Sequence, residues 1–150
     1  MMDDLGIKLI STFSGTVFQE CVRDEKFKLD CTGVTLDNRK VSIEIKIRKM
    51  TSDSPLAKQG VFIEDDKFSE LIMRKIYRDH VPLYINFFDK GNTIAIWRLD
   101  KLPDEPKHEN KRIESEVYGK VVEGRWLLPI DWAVIYKKDE EGKWKLQKRN

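Results

Sequence analysis

The chain has 150 residues, of which 40% are hydrophobic and 36% are charged, and its 28 basic and 26 acidic side chains leave a net charge of +2. This length predicts a single domain. The charge balance excludes a polycationic tail, so any contact with nucleic acid must come from a local basic patch. No apolar run reaches the roughly 18–20 residues that span a bilayer. The chain begins Met-Met-Asp-Asp, which is acidic where a secretory signal is basic, and we therefore expect a cytoplasmic protein.

The metal-binding and redox-active side chains are few. Cys21 and Cys31 have no CxxC partner, and His80 and His108 lie far apart in the sequence. This spacing does not predict a structural zinc site. Free thiols are the expectation in a reducing compartment, with one disulfide as the alternative.

The first third of the chain combines an ambiguous segment with a clear hairpin. Apolar side chains in residues 5–22 recur every three to four positions, which favours a helix. Residues 16–22 are also compatible with a strand. Farther on, Val41, Ile43, Ile45 and Ile47 alternate with polar residues. This alternation, with the preceding strand pattern and an Asp-Asn turn, predicts an antiparallel hairpin over 27–48.

The rest of the chain predicts one helix and several strands. A helix is expected over 67–79, where Phe68, Leu71, Ile72 and Ile76 form an apolar stripe. Strands are expected over 83–88 and 93–99, then an exposed connection over 103–111. Short strands are expected over 125–128, 132–137 and 143–147. The order predicts an α/β (or α+β) domain: a mixed central sheet flanked by helices, with a core of about 5–100 and a β-rich C-terminal extension of about 112–150.

One charged strand face is a candidate for chemistry. Six acidic residues are followed two positions later by lysine, so this spacing alone carries little information. Only Glu44 and Lys46 lie within a β-branched apolar strand, where residues two apart share a face. Asp30, on the partner strand, can share that face. Two carboxylates suit Mg²⁺ or Mn²⁺, and a nearby lysine can orient water or stabilise charge on a phosphate.

The hairpin with Asp30 and Glu44-Ile45-Lys46, followed by a helix and two strands, resembles the PD-(D/E)xK nuclease superfamily over about residues 19–99. The resemblance implies a restriction-endonuclease-like core. It implies that Asp30 and Glu44 are metal ligands, completed by the carbonyl of Ile45, and that Lys46 is the catalytic lysine. It also implies a further metal-ligating glutamate from the preceding helix, here Glu20. The residue before Asp30 is Leu29, where the superfamily motif often has proline.

These observations predict a Mg²⁺- or Mn²⁺-dependent endonuclease or exonuclease that hydrolyses DNA phosphodiester bonds. The expected nucleic-acid contacts are Arg48, Lys49, Lys58 and Gln59, the last in the place of a glutamine that some superfamily members carry. RNA stays open as a substrate, and a homodimer is compatible with cutting both strands of a duplex. The alternatives are a non-catalytic nucleic-acid-binding or structural module on the same fold, and an unrelated scaffold whose charged strand face is simply solvated.

Overall fold

The computed structural model describes Gly6, Ile10 and residues 18–24, 28–115 and 119–148. Most of these residues form strands. The bounds of the ten strands are β1 Phe18–Arg23, β2 Cys31–Thr35, β3 Lys40–Ile47, β4 Val61–Glu64, β5 Val81–Phe88, β6 Thr93–Arg98, β7 Lys107–Ser115, β8 Gly119–Leu128, β9 Val134–Lys138 and β10 Trp144–Lys148. They form a seven-stranded sheet in the order β1-β2-β3-β5-β6-β9-β10 and a three-stranded sheet in the order β4-β8-β7.

Two α-helices have element bounds in the described part of the chain, α1 Pro55–Gln59 and α2 Asp65–Arg78. The side chain of Ser54 caps the start of α1 by accepting a hydrogen bond from the Ala57 N–H. Helix α2 follows β4 directly, so Glu64 is both the last residue of the strand and the N-cap residue of the helix. Asp79 ends α2 in the left-handed conformation, with φ of 53°.

Helix α2 lies in the connection between two parallel strands, β3 and β5. β1, β2 and β3 run antiparallel in succession, and Asn38 adopts a φ of 71° in the turn that joins β2 to β3. β3 and β5 are parallel. A parallel pair requires a crossover connection, and here that connection consists of α1, β4 and α2. β6, β9 and β10 then continue the sheet with antiparallel pairs.

The main sheet has a hydrophobic core on each face, because side chains in a strand alternate between faces. On one face Leu71 of α2 packs in a cluster with Tyr84 and Trp97 of the main sheet. The same cluster contains Val61, Ile63 and Leu128 of the second sheet. On the other face Phe18 of β1 shares a core with β3, β5 and β6, and Trp144 of β10 packs against it. Residues from both ends of the sheet therefore meet over one face, and the sheet is curled.

The predicted fold class is wrong. The expected core is a mixed sheet flanked by helices, whereas the described residues form a β-rich fold with a curled seven-stranded sheet and a second, three-stranded sheet. The predicted exposed connection over 103–111 contains the start of β7, which pairs with β8. β9 and β10 lie where strands are expected, and they extend the main sheet.

The helix predicted over residues 5–22 agrees with the structure at Gly6 and Ile10 and is wrong over residues 18–22. Residues 18–22 lie in β1, so the strand alternative applies there. Gly6 and Ile10 are helical, and the rest of the stretch before residue 18 lies outside the described residues. None of the helices in the described ranges is long and apolar enough to cross a membrane.

Candidate active site

Asp30 lies where the pairing between β2 and β3 ends. The last paired residues are Cys31 and Ile43, and the Asp30 N–H still donates to the Ile43 carbonyl at 3.1 Å. Beyond this point the side chain replaces the backbone as acceptor, because Asp30 Oδ2 receives the Ile45 N–H at 2.7 Å. The Asp30 carboxylate is thereby fixed beside β3, next to Glu44.

Glu44 is a buried acid in the middle of the main sheet. Only 4% of its surface is exposed, and its Oε1 atom has no hydrogen-bond partner among the described residues. Burial and the neighbouring Asp30 carboxylate raise the pKa of Glu44 to about 8, and a hydrogen bond between the two side chains adds to this effect. The two acids predicted to share a site are therefore in direct contact.

Lys46 extends from the same face of β3 towards the start of α2. Its Nζ lies 3.7 Å from Oε1 of Glu64, and each of these side chains is 39% exposed. Lys46 is thus accessible to a ligand while an ion pair restricts its position. Its positive charge lowers the pKa of Glu44, against the larger opposing effects of burial and Asp30.

A second lysine, Lys67, also acts on Glu44. Its charge lowers the pKa of Glu44 more strongly than that of Lys46 does. Lys67 lies in the first turn of α2, and its Nζ donates to the Lys28 carbonyl at 2.9 Å, two residues before Asp30. Lys67 and Glu64 are not among the site residues that the sequence predicts. The available signal for Lys67 was the Asp65–Lys67 spacing, one of the six acid–lysine pairs of this kind in the chain.

Arg48 is held by internal hydrogen bonds. Its Nε donates to Oδ1 of Asn86 at 2.6 Å, and its NH2 group donates to the Phe62 carbonyl at 3.2 Å and the Tyr84 hydroxyl at 3.0 Å. Tyr84 donates in turn to the Phe62 carbonyl at 2.8 Å. These bonds join β3, β5 and β4 beside the two carboxylates. In the structure Arg48 therefore holds these three strands together.

The remaining predicted residues lie outside the strands of the β2–β3 hairpin. Glu20 is on β1, not on a helix, and pairs with Val34 at the opposite end of the β2–β3 hairpin from Asp30. Lys49 follows β3, and Lys58 and Gln59 end α1; all three are exposed. The structure therefore brings together Asp30, Glu44 and Lys46 and does not bring Glu20 to them.

The carboxylate pair is chemically suited to a hard divalent cation. Two adjacent carboxyl groups, one with an unsatisfied buried oxygen, repel each other until a proton or a cation separates their charges. Within residues 18–24, 28–115 and 119–148 no group of three or more His, Cys, Asp or Glu side chains is placed to hold a metal. Mg²⁺ commonly binds one or two protein carboxylates and keeps its other positions for water and phosphate. Asp30 and Glu44 fit that pattern.

Comparisons with known proteins add no relative: no protein-family model, no curated protein and no solved structure matches this chain.

Proposed function

We propose that this protein is a Mg²⁺- or Mn²⁺-dependent nuclease that hydrolyses DNA phosphodiester bonds, and that it carries PD-(D/E)xK chemistry on a β-rich fold. The observation that supports this proposal most is the contact between Asp30 and Glu44. A buried glutamate with a pKa of about 8 and an unpartnered oxygen is costly to maintain. Groups perturbed in this way concentrate at functional sites.

Asp30 and Glu44 would hold the metal ion in this proposal. When bound, the ion supplies positive charge that lowers the pKa of a coordinated water and stabilises the charge on the phosphate. Glu44 must lose its proton to act as a ligand. Asp30 keeps its place through the bond from the Ile45 N–H, so its carboxylate is preorganised before any cation arrives.

Lys46 would orient the attacking water or stabilise the negative charge that grows on the phosphate. Its ion pair with Glu64 holds the ammonium group at the site, and partial exposure leaves it accessible to substrate. Lys67 would add a second positive charge that acts on Glu44. Together the two lysines offset the charge of the carboxylates and of a bound phosphate.

The DNA backbone would contact the exposed polar residues that follow β3. Lys49, Lys58 and Gln59 occupy the connection from β3 through α1. Contacts of this kind with phosphates give affinity without sequence readout. A homodimer would bring two such sites to the two strands of a duplex.

Two observations favour a non-catalytic DNA-binding module as the second candidate. Lys46 is already paired with Glu64, and Arg48 is committed to internal hydrogen bonds. A module of this kind would bind DNA without cleaving it and would not depend on Mg²⁺.

Cleavage of duplex DNA in the presence of Mg²⁺ tests the proposal. Supercoiled circular DNA reports endonuclease activity, and linear DNA labelled at one end also reports exonuclease activity. We expect Lys46→Ala to reduce cleavage by about 10²–10³-fold with DNA binding nearly unchanged. Lys75→Ala is the matched control, because Lys75 on α2 pairs with Asp79 and Asp100 instead. Equal cleavage by wild type and Lys46→Ala would overturn the mechanism, and DNA binding with no cleavage by wild type would favour the module.

A further inference from the structure

A third buried acid, Asp24, is hydrogen-bonded to the segment that leads into Asp30. It follows β1, and only 2% of its surface is exposed. Its Oδ2 accepts the backbone N–H groups of Lys28 at 3.1 Å and Leu29 at 3.2 Å, the two residues that precede Asp30. Its own N–H donates to the Asp30 carbonyl at 3.2 Å. Asp24 is therefore bonded to three consecutive residues, 28, 29 and 30.

Arg74 fixes Asp24 to α2. Its NH1 and NH2 groups reach Oδ1 and Oδ2 of Asp24 at 3.1 and 2.9 Å, and Arg74 is itself only 2% exposed. Its Nε donates to Glu70 at 2.9 Å, and NH1 lies 3.4 Å from the Ser42 hydroxyl on β3. A two-point contact between a guanidinium and a carboxylate restricts orientation as well as distance. Arg74 thus joins the helix, the segment 28–30 and the strand that bears Glu44.

We propose that Asp24 and Arg74 are positioning residues that hold the Asp30 carboxylate in place for metal binding. The inference deepens the nuclease proposal and rests on it for the identity of the metal site. Asp30 lies beyond the last pair of the β2–β3 ladder, so strand pairing does not constrain it on its N-terminal side. The Asp24–Arg74 pair supplies that constraint through the backbone of 28 and 29. Lys67 adds a link from the same helix through the Lys28 carbonyl.

A pair that served only general stability would not act selectively on Asp30. The bond between the Ile45 N–H and Asp30 Oδ2 reports the position of Asp30 directly, because it exists only while the carboxylate is in place. Hydrogen exchange of the Ile45 amide therefore measures positioning without metal, substrate or activity. Amides of β6, in the middle of the main sheet, report global unfolding in the same sample.

The test compares full-length wild type, Asp24→Asn and Arg74→Lys. Arg74→Lys keeps the positive charge but loses the two-point contact, so it serves if Asp24→Asn does not fold. Asp89→Asn is the matched control, since Asp89 also holds a loop by accepting from the Ser52 N–H and hydroxyl and from the Thr93 hydroxyl, and makes none of the described hydrogen bonds to the segment 28–30. Mg²⁺ affinity is measured by calorimetry on the same variants.

We expect Ile45 exchange to accelerate at least about tenfold more than that of the β6 amides in Asp24→Asn and Arg74→Lys, and Mg²⁺ affinity to fall by about 10–100-fold. Asp89→Asn should change neither the exchange of Ile45 relative to the β6 amides nor the Mg²⁺ affinity. Equal acceleration of Ile45 and β6 amides would overturn the inference, as would unchanged Mg²⁺ affinity in variants of a wild type that binds the ion. Absence of Mg²⁺ binding by the wild type would overturn the proposed function, while the Ile45 result would still decide whether Asp24 and Arg74 position Asp30.

Discussion

The Asp30 carboxylate accepts the backbone N–H of Ile45, the residue between Glu44 and Lys46, at 2.7 Å. This bond fixes one acid against the strand that carries the other acid and the lysine. It spans 15 residues of sequence and joins the two arms of the β2–β3 hairpin just past their last paired residues. The position of the Asp30 carboxylate therefore depends on a side-chain bond, and not on the regular geometry of a strand.

The raised pKa of Glu44 predicts a pH-dependent stability. Its folded pKa of about 8 exceeds the ordinary value of 4.5, so between these values the folded protein holds a proton that the unfolded chain releases. The contribution of this bound proton to the free energy of unfolding falls as pH rises from 4.5 to 8, by at most about 1.4 kcal/mol per pH unit. Glu44→Gln removes the titration. Urea unfolding in EDTA should show the variant gaining stability relative to wild type from pH 5 to 8.5. A constant difference over that range would contradict the burial of an ionisable Glu44.

The same group predicts a pH-dependent metal affinity. Mg²⁺ binding requires ionised Glu44, so apparent affinity should rise as pH approaches 8 and level off above it. Below pH 8 the rise should approach tenfold per pH unit, because one proton is displaced for each ion bound. Calorimetry at pH 6, 7, 8 and 9 measures this slope. Affinity that is independent of pH would show that Glu44 does not release a proton on binding.

Lys67 should set the affinity of the site at neutral pH. Its charge lowers the pKa of Glu44, so Lys67→Met should raise that pKa further. We expect about a 2–10-fold weaker Mg²⁺ affinity at pH 7, recovered in part at pH 9. Lys75→Met, on the same helix but facing Asp79 and Asp100, is the control and should retain wild-type affinity. Equal losses of Mg²⁺ affinity in the two variants would contradict this prediction, because they would show a general effect of altering helix α2.

Substitutions on the two faces of α2 should have very different effects on the free energy of unfolding. Leu71 is fully buried against Tyr84 and Trp97, so Leu71→Ala should cost about 2–5 kcal/mol. Ile76 was predicted to share this apolar stripe but is 66% exposed. Ile76→Ala should therefore change the free energy of unfolding by about 0.5 kcal/mol or less. Urea denaturation of both variants measures the contrast, and similar costs would place Ile76 in a buried interface.

Local sequence patterns predicted the central strands well. The alternation of Val41, Ile43 and Ile45 identifies the apolar face of β3, and the continuous apolar run of β5 matches a strand covered on both faces. The turn at Asn38 follows from the tolerance of asparagine for positive φ. These features depend on near neighbours in the sequence, which is why periodicity detects them.

The architecture was not predictable in the same way. β7 is a highly charged strand, Lys-His-Glu-Asn-Lys-Arg at its start, and this composition indicates a solvated loop. It forms a strand because β8 supplies nine paired residues along its length. β9 and β10 could be expected as strands, but their addition to the main sheet depends on the long-range pairing of β9 with β6. Such pairing leaves no periodic signal in the sequence.

The candidate site was predictable only in its central residues. Asp30, Glu44 and Lys46 lie on one hairpin, so the pairing of β2 with β3 brings their backbones close together. Glu64 and Lys67 lie at the junction where α2 begins directly after β4. The packing of this junction beside β3 is a tertiary contact, which local sequence patterns do not show. Glu20 was expected on a helix beside the acids, and its place on β1 removes it from them.

Binding of Mn²⁺, followed by electron paramagnetic resonance, tests the metal site most directly. Because Mn²⁺ prefers the same oxygen ligands as Mg²⁺, it reports a site formed by the two carboxylates. The predicted result at pH 8 is one bound Mn²⁺ per chain in wild type, with binding lost in both Asp30→Asn and Glu44→Gln and retained in Asp89→Asn. No bound Mn²⁺ in wild type, or equal binding in all four proteins, would contradict a metal site at Asp30 and Glu44.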